Sequence, residues 1–391
     1  MTNFDAIKKQ EQTFHMPTYA RFDVALVRGQ GAATWDADGK EYIDLTSGIG
    51  VNALGFSDPG WVNAVCEQTA ALQHTSNLYY HPAQTALAEQ LCTLTGLDKV
   101  FFGNSGAEAN ECATKLARKY SFDKYGAGRH NIITLYNSFH GRTVTTLSAT
   151  GQEEFHQSFF PFTKGFVHVP AGDLDALKTA ADHTVCAVML EVVQGEGGVV
   201  PLDQDYLKGV ADFCKANDIL LILDEVQTGI GRTGKLLAYQ YFGLSPDIVT
   251  LAKGLGGGLP VGACLCATRL GSVLSVGSHG STFGGNPVVC AGANYILNVV
   301  SAPEFLAEVV AKGETFRQKL LAMDNVAGVT GLGLMIGIAL KSGNAKAFAV
   351  ECAKQGVLLL TAKEKLRMLP PLNITEEQID KALGILAGVI T

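Results

Sequence analysis

Short apolar runs alternate with amphipathic stretches between about residues 60 and 270, and this alternation restricts the possible folds more than any other feature of the chain. Helical patterns, such as Gly106 to Tyr120 and Gln204 to Asn217, separate the apolar runs. Strands and helices in alternation predict an α/β fold with a mostly parallel sheet, covered by helices on both faces. The predicted strands are Lys99 to Phe102, Asn131 to Leu135, Val185 to Val193, Ile219 to Leu223, Ile248 to Leu251 and Ala263 to Ala267.

The two ends of the chain have a different pattern. Asp38-Gly39 lies between short runs and predicts a β-hairpin. The last hundred residues mix helical patterns with one glycine-rich strand, predicted at Gly331 to Gly337. A chain of 391 residues can form one large and one smaller domain. We predict a large α/β domain at 56–285 and a smaller α+β domain formed by the chain ends, 1–55 and 286–391.

Composition argues against several classes of protein. The net charge of -7 and the absence of Lys/Arg runs disfavour a nucleic-acid partner. The first ten residues are polar and mixed in charge, unlike a signal peptide, and no apolar run reaches the length of a membrane span. The nine cysteines are scattered without a Cys-x-x-Cys pair and predict a reducing compartment. We therefore expect a soluble cytoplasmic protein without a membrane or nucleic-acid partner and without a metal site.

Two carboxylates follow the predicted strand Ile219 to Leu223. Five consecutive large aliphatic residues are typical of a strand buried on both faces of a parallel sheet. Asp224 and Glu225 come next, at the carboxyl end where open α/β sheets bind ligands. Because side chains alternate along a strand, only one of the two should face a site, and the other should be structural.

One lysine ends another predicted strand. Lys253 follows Ile248 to Leu251, and four of the next five residues are glycine. Burial lowers the pKa of a lysine and leaves a nucleophilic amine that condenses with aldehydes. A single lysine at a strand end more often extends its charge to solvent. Together with a buried carboxylate, however, it matches the pyridoxal phosphate arrangement, in which the lysine holds the aldehyde and an aspartate holds the pyridine nitrogen.

Two further segments contain candidate anion-binding groups. Ser105 can cap a helix while the N–H groups of Gly106 and Ala107 bind a phosphate, although an ordinary helix cap has the same pattern. Phe139 follows a predicted strand and could stack on a cofactor ring. Arg142 could grip a substrate carboxylate, or form a surface ion pair. The neighbouring histidine receives no chemical role.

The segment Gly229 to Lys235 partly matches two nucleotide-binding motifs. It fits GxGxxG, but five residues separate its first glycine from the preceding strand, which disfavours a dinucleotide loop. It also approaches a phosphate-binding GK[ST] loop, but Leu236 stands where Ser or Thr must bind magnesium. A nucleotide-binding oxidoreductase therefore stays the alternative from another class.

With these segments assembled, the chain resembles the class III, fold-type I pyridoxal-phosphate aminotransferases, and within them the bacterial acetylornithine aminotransferases. The resemblance covers Tyr19 through Leu372. Two departures are Val192 after Glu191, where the family usually has proline, and Phe56, where it commonly has histidine. The matching segments are His74 to Tyr80, Asn104 to Asn110, Ser138 to Thr143, Gln194 to Gly198, Leu223 to Gly229, Ala252 to Gly258 and His279 to Pro287.

The resemblance implies how pyridoxal 5'-phosphate is held. Lys253 would bind it covalently and Asp224 would pair with its ring nitrogen. Gln227 would contact the ring hydroxyl. Val226 and Phe139 would cover the two faces of the ring. The phosphate ligands would be Ser105, Gly106, Ala107 and Thr282 from the second subunit of a homodimer.

The resemblance also implies a substrate-binding set of Tyr19, Arg142, Glu196, Ser281 and Arg367. Arg142, assisted by Tyr19, would take the substrate α-carboxylate. Glu196 would pair with Arg367 while an amino donor is bound and would swing away when 2-oxoglutarate needs that arginine.

The activity implied by the resemblance is a ping-pong transfer of the terminal amino group of N2-acetylornithine to 2-oxoglutarate, in arginine biosynthesis. The products would be N-acetylglutamate 5-semialdehyde and glutamate. Ornithine, 4-aminobutyrate or succinyl-diaminopimelate as the donor would use the same residues and stay open. A catalytically silent binding protein of this fold is disfavoured by the presence of Lys253, Asp224 and Arg142 together.

Overall fold

A computed structural model describes residues 2–390 of the chain. Its strands are β1 (Leu26–Gln30), β2 (Ala33–Asp36), β3 (Glu41–Asp44), β4 (Lys99–Gly103), β5 (Asn131–Leu135), β6 (Phe166–Val169), β7 (Val185–Leu190), β8 (Val193–Gln194), β9 (Val200–Pro201), β10 (Leu220–Asp224), β11 (Ile248–Leu251), β12 (Gly262–Cys266), β13 (Val326–Leu332), β14 (Met335–Leu340), β15 (Val357–Leu358), β16 (Leu360–Ala362) and β17 (Lys365–Met368). Its α-helices are α1 (Asn3–Phe14), α2 (Ser47–Gly50), α3 (Pro59–Ala71), α4 (Pro82–Thr95), α5 (Gly106–Tyr125), α6 (Val144–Ala149), α7 (Leu174–Ala180), α8 (Gln204–Ala216), α9 (Pro287–Val300), α10 (Pro303–Leu321), α11 (Ala345–Lys354) and α12 (Glu376–Val389).

The largest sheet has seven strands in the order β4-β12-β11-β10-β7-β5-β6. The pairs β11–β10, β10–β7, β7–β5 and β5–β6 are parallel, and only β12 runs antiparallel to its two neighbours. The mostly parallel α/β sheet predicted from the sequence is therefore confirmed. Strand β6 was not predicted.

The central strand β10 shows why this sheet is buried on both faces. Its side chains alternate between two separate cores. Leu221 and Leu223 belong to the larger core, whereas Leu220 and Ile222 pack with Leu116 of α5 on the opposite face. An uninterrupted aliphatic run is thus the expected sequence for this position in the sheet.

The two chain ends meet in smaller sheets. The predicted hairpin is confirmed, because β2 and β3 pair antiparallel across the turn at Gly39. Strand β15 pairs in parallel with β3, which joins the C-terminal part of the chain to the N-terminal part. A second sheet has the order β13-β14-β17-β16. The predicted single strand at Gly331 to Gly337 is wrong, because the chain reverses at Gly333 (φ 53°) and continues as a second strand.

The topology brings the chemistry-bearing segments to one edge of the large sheet. Parallel strands β10 and β11 end side by side, and Asp224 pairs with Thr250 in the register. Lys253 follows β11 by two residues, and α5 begins at Gly106, directly after β4. Within residues 2–390, no helix combines the length and apolar character needed to cross a membrane. The predicted boundaries after residues 55 and 285 remain predictions, which limited proteolysis can test.

Candidate active site

A cavity of about 420 Å³ opens at the carboxyl edge of the parallel strands. It brings together residues from six segments that are far apart in the sequence. Of the predicted site residues, its wall contains Ser105, Gly106, Ala107, Phe139, Arg142, Glu196, Asp224, Val226, Gln227 and Lys253. Tyr19, Ser281, Thr282 and Arg367 are not part of this wall in a single chain.

Lys253 lies in the cavity wall immediately after β11. Its φ is 42°, in the left-handed region that non-glycine residues rarely adopt. Burial lowers the pKa of the Lys253 amine, and the nearby Glu196 charge partly raises it. Within residues 2–390, the amine has no hydrogen-bond or ion-pair partner. An amine with a lowered pKa and without a partner is suited to condense with an aldehyde.

Asp224 presents a fixed carboxylate to the same cavity. Its Oδ2 accepts a hydrogen bond from Asn110 Nδ2 at 2.8 Å and contacts His140 Nδ1 at 2.8 Å. Its Oδ1 accepts from the backbone N–H of Val226 at 3.0 Å. The residue is 3% exposed, so these contacts hold the carboxylate in one orientation within a dry site.

Glu225 points away from the cavity and anchors a different segment. Its carboxylate accepts from Thr228 Oγ1 and from the N–H groups of Ala238 (3.0 Å) and Tyr239 (2.8 Å). Burial raises the pKa of this carboxyl to about 7. The two adjacent carboxylates therefore face opposite sides of the strand end, as side-chain alternation requires.

Sequence reasoning missed Asn110, His140 and Glu191. Asn110 and His140 reach Asp224 across 114 and 84 residues, so no local pattern signals them. Glu191 accepts from the N–H groups of Phe139 (2.9 Å) and Gly195 (3.2 Å), and thereby joins two walls of the cavity. Burial raises its pKa to about 7. The one available signal was chemical, because a buried carboxylate such as Asp224 requires hydrogen-bonding partners.

An anion cradle forms at the start of α5. Ser105 caps the helix by accepting from Glu108 N at 3.2 Å, so the serine also performs the ordinary capping role. A Cβ on Gly106 would lie 2.8 Å from Val226 Cγ1, so only glycine fits beside that side chain. The N–H groups of Gly106 and Ala107 precede the first backbone bond of the helix, which Ala109 N donates to Ser105 O. Free N–H groups and the helix dipole favour a phosphate there.

The Arg142 guanidinium lies over the Phe155 ring, 4.0 Å from its centroid, and 5.4 Å from that of Phe139. Within residues 2–390 it forms no ion pair, so the alternative of a surface ion pair is not observed. Stacking holds the planar group while leaving its N–H donors available to a carboxylate.

A second arginine, outside the cavity wall itself, contacts two of the residues that form the wall. Arg367 Nη1 donates to Glu196 Oε1 at 2.6 Å and to Gln227 Oε1 at 3.3 Å. Burial raises the pKa of Glu196, but the Arg367 charge and hydrogen bond outweigh it, and the net shift is downward. Arg367 Nε is buried without a partner. The predicted contact between these two side chains is thus present in the structure.

The other predicted residues do not line the cavity. Ser281 Oγ accepts from Asn104 Nδ2 at 3.1 Å, next to the anion cradle. Tyr19 is 74% exposed, and Thr282 is exposed as well. The roles of these three residues stay predictions.

The segment Gly229 to Lys235 is packed inside the protein. A Cβ on Gly231 would lie 2.4 Å from Val300, and one on Gly234 would lie 2.3 Å from Val310. Side chains therefore cover the glycines that a dinucleotide would have to approach, and nothing in the geometry supports the oxidoreductase alternative.

A lysine without a partner, a fixed carboxylate in the same cavity wall and a glycine-shaped anion cradle fit pyridoxal 5'-phosphate. Lys253 fits its aldehyde, Asp224 its ring nitrogen and the start of α5 its phosphate. Together with the mostly parallel sheet, these features define an α/β pyridoxal-phosphate enzyme of fold-type I.

Comparison with known proteins shows which family of pyridoxal-phosphate enzymes the chain is similar to. A family model described as aminotransferase class-III matches residues 15–390. The chain is 56% identical, over 99% of both chains, to an acetylornithine aminotransferase of Haemophilus ducreyi. It is 44% identical to a succinylornithine transaminase of Citrobacter koseri, over 94% of this chain and 93% of that protein. The crystal structure of ornithine aminotransferase from Toxoplasma gondii ME49 superposes with a TM-score of 0.95 at 30% identity, covering 100% of this chain and 95% of that one.

The chain belongs to the class III aminotransferases. It is a pyridoxal-phosphate-dependent enzyme that acts on small molecules.

Proposed function

We propose that this aminotransferase moves the terminal amino group of N2-acetylornithine to 2-oxoglutarate, giving N-acetylglutamate 5-semialdehyde and glutamate in arginine biosynthesis. The main support from the site is the 2.6 Å contact between Glu196, in the cavity wall, and Arg367, which provides a second arginine in addition to Arg142. The similarity to the Haemophilus ducreyi protein over nearly the whole chain points to the same donor.

The cofactor, when bound, supplies an aldehyde for the amino group and an electron-withdrawing ring. Asp224, held by Asn110 and His140, keeps a negative charge where the protonated ring nitrogen would lie. Burial favours the neutral form of Lys253, so its amine can take a proton from the carbon that bears the transferred amino group, which is the terminal side-chain carbon of N-acetylornithine. In the second half of the reaction the same amine would give a proton to the carbon of 2-oxoglutarate that becomes Cα of glutamate. Glu191 fixes the Phe139 backbone, and hence the ring that would cover the cofactor.

Two arginines allow one pocket to bind substrates of different charge. Arg142 binds, in either substrate, a carboxylate that lies away from the reacting carbon, through its free N–H donors. While N-acetylornithine is bound, Glu196 neutralises Arg367, because this donor has only one carboxylate. A second carboxylate on 2-oxoglutarate would repel Glu196 and take its place on Arg367. The same arrangement explains a ping-pong sequence in which donor and acceptor use the pocket in turn.

We also propose a cytoplasmic homodimer in which Thr282 of each chain completes the phosphate site of the other. Thr282 is exposed and lies outside the cavity of its own chain, yet it follows Ser281, which contacts the anion cradle through Asn104. The nine cysteines are free, which agrees with a reducing compartment.

A donor panel with 2-oxoglutarate tests this function. Purified holoenzyme would be assayed with N-acetylornithine, N-succinylornithine, ornithine, 4-aminobutyrate and succinyl-diaminopimelate, and kcat/KM compared. We expect N-acetylornithine to exceed ornithine and 4-aminobutyrate by about tenfold or more, since one distal contact differs. A higher kcat/KM for any other donor would contradict the proposed substrate, and no glutamate formation with any donor would contradict the proposed acceptor.

A further inference from the structure

The segment Gly229 to Lys235, which takes no part in the proposed chemistry, contains a buried arginine with an unusual set of partners. Arg232 is 2% exposed. Its Nη1 donates to the carbonyls of Leu334 (3.1 Å) and Pro370, and its Nη2 donates to Ser47 Oγ (3.4 Å). Its own carbonyl accepts from Leu334 N at 3.0 Å. One side chain therefore contacts three residues that are each more than 100 positions away from it in the sequence.

The hydrogen-bond partners of Arg232 are all neutral groups, so none of them balances its buried positive charge. A gain in stability therefore does not explain why an arginine is buried here. Burial lowers the pKa of its guanidinium to about 9, and the nearby Asp44 charge raises it only in part. Within residues 2–390, Arg232 forms no ion pair. Replacing a buried charge by a well-packed apolar side chain is often neutral or stabilising. The planar guanidinium instead donates its hydrogen bonds in fixed directions, which sets the positions of the groups that accept them.

The carbonyls that Arg232 binds belong to the segments that place Arg367. Pro370 follows β17, and Leu334 lies in the turn before β14, the strand that pairs Gly337 with Arg367. Ser47 reinforces the contact, because its Oγ also donates to the Leu369 carbonyl at 2.6 Å.

The same loop also contacts the segment of Lys253. A Cβ on Gly254 would lie 3.3 Å from the Ile230 Cβ. Gly229 N donates to Glu225 O at 2.9 Å, which ties the start of the loop to the residue after Asp224. The loop therefore contacts the segment that contains Lys253 on one side. On the other side, it contacts the segments next to the strand that contains Arg367.

We propose that Arg232 is a positioning residue for substrate recognition, which fixes Arg367 at the separation from Lys253 that the second carboxylate of 2-oxoglutarate requires. This inference rests on the proposed function, because it takes 2-oxoglutarate as the amino acceptor. N-acetylornithine makes no ionic contact with Arg367, so a displaced Arg367 affects the donor far less.

The test compares the KM values of the two substrates in the holoenzyme. Arg232→Met removes the donors at similar length, and Arg232→Lys restores the charge without the planar guanidinium. Arg317→Met is the matched control, because Arg317 also donates to two backbone carbonyls, Val329 (2.7 Å) and Gly331 (2.9 Å), in the same C-terminal sheet without contacting the segment after β17. Ser47→Ala removes one hydrogen-bond partner of Arg232 and leaves Arg232 itself unchanged.

We expect Arg232→Met to raise the KM for 2-oxoglutarate by about tenfold or more, since a shift on the order of 1 Å weakens substrate positioning strongly. The KM for N-acetylornithine should change by less than about twofold. Arg232→Lys should recover part of the loss, and Ser47→Ala should show a smaller shift in the same direction. Arg317→Met should lower the melting temperature without this selectivity.

Equal changes in both KM values, or the same selective loss in Arg317→Met, would overturn the inference. If Arg232→Met does not fold, an unchanged KM for 2-oxoglutarate in both Arg232→Lys and Ser47→Ala would overturn it as well. A wild-type enzyme that does not accept an amino group on 2-oxoglutarate would contradict the proposed function instead, and the two failures are thus distinguishable.

Discussion

Lys253 combines a strained backbone with an amine of lowered pKa that lacks a partner, and strain of this kind is typical of functional sites. We expect Lys253→Ala to lower the transamination rate by about a thousandfold, because a single group that moves protons typically contributes about 10²–10⁴-fold. Borohydride reduction should leave the cofactor unattached to this variant. Lys235→Ala is the control, since Lys235 lies over Tyr241 and outside the cavity. A cofactor-labelled peptide that contains Lys235 would contradict the assignment.

Asp224 and Glu225 are adjacent and both buried, yet they face different surroundings. Asp224→Asn should lower kcat by about a hundredfold or more, because it removes a fixed charge from a dry site. Glu225→Gln should instead lower the free energy of unfolding by about 1–3 kcal/mol, because two backbone N–H groups lose their acceptor in part. Kinetics and denaturant titration of both variants distinguish the two roles. Near-normal turnover in Asp224→Asn together with an inactive Glu225→Gln would reverse them.

Among the individual site residues, the sequence predicted those that follow strand ends, because a buried strand fixes where its last side chains point. It did not predict the residues that support them. His140 and Asn110 meet Asp224 only because α5 and the segment after β5 pack against the end of β10, and such contacts have no local signature. Thr282 and Tyr19 lie away from the cavity of one chain, so their roles depend on parts of the molecule that a strand pattern cannot specify.

The segment Gly195 to Gly198 and strand β17 form one functional pair of elements, joined by the Glu196–Arg367 contact. Glu196→Ala should leave Arg367 uncovered. It should speed the glutamate/2-oxoglutarate half-reaction relative to the N-acetylornithine half-reaction by about tenfold, which corresponds to about 1.4 kcal/mol. Stopped-flow absorbance of the bound cofactor measures each half-reaction separately.

Glu154→Ala provides the control for Glu196→Ala. Glu154 also contacts the β16–β17 hairpin, through Lys363 at 3.3 Å, but it lies outside the cavity. Its loss should leave the ratio of the two half-reactions unchanged. Equal slowing of both half-reactions in Glu196→Ala would mean that Glu196 is structural and that the exchange of partners does not occur.

Elements with long aliphatic runs were the most predictable part of the fold. Strands β7, β10 and β11 are completely buried, and their composition leaves few alternatives. Strand β6 was missed because it has only four residues and includes His168, so its apolar signal is short. The hairpin of β13 and β14 was mistaken for one strand, because its turn at Gly333-Leu334 lacks a typical turn dipeptide.

The molecule exposes large apolar side chains next to the segment that bears Thr282. Leu78 is 88% exposed and Phe283 is 62% exposed, and the Phe283 ring lies 5.5 Å from that of His74. Exposed apolar surface of this kind is typical of a subunit interface. It supports the proposed homodimer, in which two incomplete phosphate sites complete each other.

Thr282→Ala should therefore weaken cofactor retention about tenfold, because one hydrogen bond to a charged phosphate contributes about 1.5–3 kcal/mol. Equilibrium dialysis of the cofactor, with Thr179→Ala on the exposed face of α7 as the control, measures this loss. Sedimentation at assay concentration would show whether activity follows the dimer. Full activity in a strictly monomeric preparation would rule out the shared site.

The parallel pairing of β15 with β3 also has a consequence for how the chain is made. Ile43 pairs with Val357, more than 300 residues later in the sequence. At about 5–20 residues per second, a ribosome needs on the order of 15–60 s to add the intervening chain, and β3 keeps one unpaired edge throughout that time. An exposed strand edge invites pairing with another chain. The interval between synthesis of the first strands and arrival of β15 is thus the period in which a nascent chain is most exposed to aggregation and to binding by chaperones.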